Sequence, residues 1–125
     1  MRDLDDLGGE PAIEALVARF YERLESDPRL RPMYPQDLEP SRRHLTLFLI
    51  QYWGGPDTYS RLRGHPRLRL RHQPFDIGPV ERDAWLTHMR AALDALDIDA
   101  AAKRKLWGYL EMAARSLVNR PVASA

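Results

Sequence analysis

The 125 residues of this chain predict an all-α fold, and three features of the sequence carry that expectation. Apolar residues recur at spacings of three and four through four long stretches, which is the helical period. Glycine and proline punctuate the ends of those stretches. The one run with strand-like alternation, Arg67-Leu68-Arg69-Leu70-Arg71, has no convincing second strand to pair with, so as a strand it would leave its backbone groups unmet. The length suits a single domain over residues 1–125, with its core over 8–119 and a frayed tail at 120–125. A chain of this size holds one core and at most one sizeable pocket.

From the N-terminus, Gly8-Gly9 allows a sharp turn after a short acidic leader, and Pro11 is tolerated in a first helical turn, so a helix is expected from near residue 10. Ile13, Leu16, Val17, Phe20 and Leu24 form its apolar stripe, bordered by Tyr21. Asp27-Pro28 reads as the cap and first-turn proline of a brief helical turn ending near Met33-Tyr34-Pro35. A second strong helix is expected from Ser41 to Trp53, with Ser41, Leu45, Phe48 and Tyr52 along one line. Leu47, Leu49, Ile50 and Trp53 widen its apolar surface, so it must be covered on more than one side. A flat apolar ligand with protein opposite would do this, as would ordinary helix packing or a subunit contact. Gly54-Gly55-Pro56 ends that helix.

Between 57 and 78 the breakers allow only short helical turns, and such loop-rich segments are where function tends to sit. Gly78-Pro79 opens a third long helix bearing Trp85, Leu86, Met89, Ala92, Leu93 and Leu96. Asp97 to Asp99 form a turn. Leu106, Trp107, Leu110, Ala113, Ala114, Leu117 and Val118 mark the last helix.

Composition narrows the function classes. Nineteen basic residues against 18 acidic give a net charge of +1, which argues against broad nucleic-acid affinity; the basic character is local, around residues 61–71. With no cysteine, the chain has no disulfide, no thiolate metal site, no iron–sulfur cluster and no Cys-x-x-Cys-His attachment of a haem. No apolar run follows Arg2, so no signal peptide is expected, and no stretch of about 18 apolar residues predicts a membrane span. A cytoplasmic protein is the expectation.

The chemistry concentrates in Gly64-His65-Pro66-Arg67-Leu68-Arg69-Leu70-Arg71-His72-Gln73-Pro74-Phe75. His72 follows Leu68 by four, so on even a short helix its imidazole shares the inward face with an apolar residue, where an axial metal ligand would sit. Arg67, Arg69 and Arg71 are planar charged forks suited to carboxylates or phosphates. This stretch, with Phe-Leu-Ile-Gln-Tyr-Trp-Gly-Gly-Pro before it and Glu-Arg-Asp-Ala-Trp-Leu after it, closely resembles the truncated haemoglobins, group II of bacteria, from about Gly8 to Asn119.

The resemblance implies a two-over-two helical sandwich around a noncovalent haem b, with His72 as the proximal ligand. It places Tyr21, Tyr34, Ser41, Leu45 and Trp85 on the gas side. Taken alone, Tyr21 and Trp85 read more simply as core aromatics with satisfied polar tips, and His72 as a structural or surface histidine. Bound oxygen carries partial negative charge, so phenol and indole donors in a dry pocket each stabilise it by roughly 0.5–1.5 kcal/mol. Ser41 is too short to reach the gas easily, which leaves the donor role to Trp85 and Tyr34. Phe48, Leu45 and Phe75 are candidate apolar contacts with the porphyrin or gas, although plain packing explains them as well. Arg71, with Tyr59 or Arg67, is a candidate partner for the propionates. His65 is expected to make a local hydrogen bond, and His44 and His88 are most simply solvated helix residues.

The function so implied is binding of oxygen, nitric oxide, carbon monoxide or a similar ligand at a five-coordinate iron, for oxygen transport or for nitric oxide dioxygenase or peroxidase chemistry. A reductase partner and a homodimer are compatible with it, and neither nucleic acid nor membrane is expected. The rival class is a small helical regulator using the arginine-rich loop to bind nucleic acid or a protein, against which stands the absence of a basic recognition helix. A haem carrier or sensor is a third reading.

Overall fold

Each of the four apolar stretches forms a helix in the computed structural model, which describes residues 3–119. The tail expected to fray lies outside those residues. The acidic leader is itself helical: α1 (Asp3–Asp6) buries Leu4, whose N–H donates to the Trp53 carbonyl at 2.8 Å and ties the leader to the far end of a later helix. α2 (Gly9–Leu24) buries the whole expected stripe together with Tyr21. Gly8 before it takes a left-handed φ of 95°, and a Cβ there would stand 2.8 Å from Ala12 Cβ and 2.9 Å from Ile98 Cγ2. Only glycine meets both demands.

After the α2 corner comes a 3₁₀ turn (Arg31–Met33), and then α3 (Glu39–Tyr52), which starts two residues before Ser41 because Pro40 is accommodated in its first turn. α1 closes against its C-terminal end at Gly55, where an added Cβ would lie 2.6 Å from Ile50 Cγ2 and 2.9 Å from Leu4 Cδ2. α4 (Thr58–Arg63) is pinned to α3 by Gln51, whose amide donates to Ser60 Oγ at 2.8 Å and accepts the Ser60 N–H at 2.9 Å. The strand-like run is the helix α5 (Leu68–His72), entered through Arg67 at a φ of 44°.

α6 (Pro79–Asp94) begins where the Glu81 carboxylate accepts the Gly78 N–H at 2.8 Å. α7 (Ala100–Ser116) is capped by Asp99, which accepts the Ala102 N–H at 2.7 Å, and it stops before Leu117 and Val118, which continue the apolar period beyond it. α2 packs on α3 and on α6, and α6 on α7, so two helix pairs face one another. Phe20, Leu16, Met89, Leu93, Leu106 and Leu110 are fully buried where they meet. Each such side chain contributes about 1.5–3 kcal/mol relative to exposure.

Candidate functional site

A cavity of about 390 Å³ opens between the helix pairs, within the size range of small-molecule sites. Tyr21 from α2, Tyr34 from the corner, Ser41, Leu45 and Phe48 from α3, and Trp85 from α6 line it. Tyr59, Arg71, His72 and Phe75 complete its other side. Of the residues expected around a ligand, Arg67 does not line the cavity: it is exposed, and its N–H donates to His65 Nδ1 at 3.2 Å, the local bond expected of that histidine. The left-handed backbone that starts α5 sets Arg67 apart.

His72 lies one helical turn after Leu68, and its Nδ1 is 2.6 Å from the Leu68 carbonyl oxygen. A carbonyl only accepts, so Nδ1 carries the hydrogen and donates, which leaves the Nε2 electron pair as the imidazole's donor. This is the arrangement that fixes a metal-ligating histidine in one tautomer. No group of three or more His, Cys, Asp or Glu placed to hold a metal occurs among the described residues. A metal held by His72 must therefore bring its other donors with it, as the iron of a porphyrin does, and the apolar, two-sided cavity suits a flat macrocycle.

The opposite wall is aromatic and polar at its tips. The rings of Tyr21 and Tyr34 meet edge to face at 5.9 Å, and Phe20 backs both Tyr21 at 5.3 Å and Trp85 at 5.2 Å. Burial pushes the Tyr34 phenol up to about 12, opposed in part by a hydrogen bond from the Trp85 side chain. Burial and then the neighbouring Tyr34 raise Tyr21 further still. Both phenols are thus neutral donors at physiological pH.

Outside this wall, the corner is locked to α6. Asp27 is only 6% exposed and accepts the Arg29 N–H at 2.8 Å, the Arg29 guanidinium at 2.8 and 3.1 Å, and His88 Nε2 at 2.6 Å. Arg23 Nε donates to His88 Nδ1 at 3.2 Å, so that nitrogen accepts and Nε2 bears the hydrogen given to Asp27. His88, expected as a solvated helix residue, instead joins α6 to the segment bearing Tyr34, with Trp85 one turn earlier on the same helix. Asp27 caps the turn that follows it, as expected, by accepting the Arg29 N–H, and is in addition the buried acceptor of that joint.

The cavity's rim is cationic. His44, also expected to be simply solvated, lines the cavity with Arg63 and Arg71. Burial first, then Arg63, Arg43 and Arg71, hold its imidazole below the ordinary histidine value. Arg71 also staples its own loop, donating to the Pro66 carbonyl and to the Arg63 carbonyl, each at 2.7 Å.

Sequence reasoning missed Asn119. Its amide donates to the carbonyls of Phe75 at 2.8 Å and His72 at 3.2 Å, and its Oδ1 accepts the Ile77 N–H at 2.9 Å. The Asn119 N–H in turn donates to the Ile77 carbonyl at 2.9 Å. The segment carrying His72 is clasped from the far end of the chain. A lone asparagine beyond a helix terminus has no period to betray it.

Residues 4–119 match the bacterial-like globin family. The chain is 44% identical over 115 residues to the group 2 truncated hemoglobin YjbI of Bacillus subtilis, covering 92% of this chain and 87% of that one. Among solved structures, a thermostable hemoglobin from the actinobacterium Thermobifida fusca superposes with a TM-score of 0.93 at 54% identity, covering 99% of this chain and 100% of that one. A truncated oxygen-avid haemoglobin from Bacillus subtilis superposes at 0.90 with 41% identity, covering 95% and 100%.

Proposed function

Since the chain belongs to the truncated haemoglobins of the bacterial-like globin family, we propose that it holds a noncovalent haem b through His72 and binds oxygen or another small diatomic ligand, such as nitric oxide or carbon monoxide, on the face toward Tyr34, Tyr21 and Trp85. The observation that carries this reading is the His72 tautomer: Nδ1 donates to the Leu68 carbonyl while the ring lines an apolar cavity. The haem supplies the iron, four further donors to it and the redox chemistry.

The chain's own residues do the rest. His72 binds from one side in a fixed orientation, because its second nitrogen is held by its own helix. Leu45 and Phe48 exclude water, and Phe75 adds an apolar ring at the cavity's more open side. Arg63 and Arg71 at the rim are charge partners for carboxylate substituents, with His44, held toward its neutral form, beside them as a hydrogen-bonding group; Arg67, away from the cavity, is set aside from that role. Tyr34 and Trp85 are the hydrogen donors on the gas side. Tyr21 supports them, and Ser41 lines the wall without reaching far. Oxygen carriage is the first reading; turnover of nitric oxide or peroxide is the second, favoured by the same polar donors. A cytoplasmic setting and a reductase partner accord with either.

The visible spectrum of protein supplied with hemin tests the reading. A Soret band is expected for the wild type and for His65→Ala and His88→Ala, while His72→Ala should lose it, or regain it only when free imidazole is added. His44, which shares the cavity, is the one rival imidazole. Loss of the band in His44→Ala with its retention in His72→Ala would move the ligand and overturn the assignment.

A further inference from the structure

We propose that Tyr52 is a surface site of one-electron oxidation, at which phenolic or arylamine reductants too large for the cavity give up electrons to it through Tyr109. Tyr109, on α7, lines the cavity. Its ring stacks on Tyr52, the last residue of α3, with centroids 3.9 Å apart and planes 29° from parallel. Tyr52 is 48% exposed, whereas the other four of the chain's five tyrosines are buried or half-buried. Two π-systems in contact therefore span the wall, from the space inside to solvent outside. The inference rests on the haem reading, because a redox centre in the cavity is needed to reduce peroxide.

Trp53 lies edge-on to both rings, 5.1 Å from Tyr52 and 5.9 Å from Tyr109, yet it is a poor resting place for a lost electron. Its indole N–H is buried with no hydrogen-bond partner, so an oxidised indole has nowhere to send its proton. Tyr52 has water beside it. Oxidising its phenol sends one electron inward and one proton to solvent, leaving a neutral phenoxyl radical. A phenolic reductant then returns one hydrogen atom to Tyr52 and departs as its own radical. Two such cycles supply the two electrons, and with two protons from solvent reduce one hydrogen peroxide to two waters. The adjacent Tyr109 stays a protonated phenol throughout the physiological range, its pKa pushed up to about 12 by burial and then by Tyr52.

Hemin-loaded protein with its Soret band in place, treated with hydrogen peroxide and no reductant, should form covalent dimers with dityrosine fluorescence, mapping by mass spectrometry to Tyr52. Tyr52→Phe keeps the stacked ring and should take up haem normally, but should lose the dimer and the peroxide-driven oxidation of ABTS, a bulky reductant. Tyr109→Phe should slow both. Soret-positive protein that makes no dimer, makes as much in Tyr52→Phe, or cross-links through another tyrosine overturns the relay and leaves the haem reading intact. A chain that takes up no hemin defeats that reading first, and the relay with it.

Discussion

His72 is set apart from the other histidines by what its second nitrogen does. In His65 and His88, Nδ1 accepts a hydrogen, from Arg67 and Arg23 respectively, and His88 Nε2 is committed to Asp27. His72 alone uses Nδ1 as a donor to a carbonyl, so its Nε2 keeps the electron pair. The same kind of accounting changes the role of Trp85. An indole has one hydrogen, and Trp85 draws the Tyr34 phenol down against burial, so it can act on a bound gas through that phenol as well as directly. Trp85→Phe deletes that hydrogen while keeping an aromatic ring against Phe20. Stopped-flow measurement should show oxygen dissociating roughly two- to tenfold faster, the equivalent of one hydrogen bond of about 0.5–1.5 kcal/mol. An unchanged rate would show that Tyr34 needs no help from the indole.

Whether an element could be read from the sequence depended on its length. α2, α3, α6 and α7 each run long enough for apolar residues to repeat; the α2 stripe is wholly buried and those of α6 and α7 largely so, whereas on α3 Leu49 and Ile50 are buried, Ser41, Leu45 and Phe48 line the cavity and Tyr52 ends exposed. α1 has four residues, too few to show any period. α5 has five, and over so short a run alternation by two and by 3.6 are barely distinguishable; its arginines mimicked the wet face of a strand. What settles its shape is not local: Arg67 turns the chain into it, and Asn119 clasps its far end from 47 residues away. The site followed the same division. The residues named on long helices and within the resemblance line the cavity, Arg67 excepted, whereas His44, His88 and Asn119 owe their roles to partners distant in sequence. Asn119→Ala removes three side-chain hydrogen bonds from the His72 to Ile77 segment, and should lower unfolding free energy by roughly 1–3 kcal/mol. Haem transfer to an excess of scavenging apoprotein should also quicken. Asn119→Asp keeps the acceptor for Ile77 but loses both donors, so its retention should fall between the two. Equal retention in all three would remove Asn119 from the support of His72.

For the whole molecule, these buried groups set limits to the pH range in which the fold is stable. On the acid side stands Asp27, whose carboxyl is held well below the usual range, first by hydrogen bonds from the Arg29 side chain and then by the one from His88. An unfolded chain takes up a proton on that carboxyl near its ordinary value of about 3.9, whereas the folded chain does so only in stronger acid. The contribution of Asp27 is therefore present above about pH 4 and is lost as pH falls below it. On the alkaline side, Tyr34 and Tyr109 are each pushed up to about 12 by burial, and Tyr21 is raised further. The unfolded chain releases these protons from about pH 10, where the folded one retains them, so stability falls as pH rises from there. The urea midpoint of the hemin-loaded protein, followed by far-ultraviolet circular dichroism, should form a plateau with a descending limb at each end. Phenolate absorbance from the buried tyrosines should appear together with loss of helix, not before it. In Asp27→Asn the acid limb should flatten, the plateau should lie lower and the alkaline limb should be unchanged. An acid limb as steep as the wild type's would mean that other carboxylates set that boundary, and that the lock between the α2 corner and α6 contributes little to it.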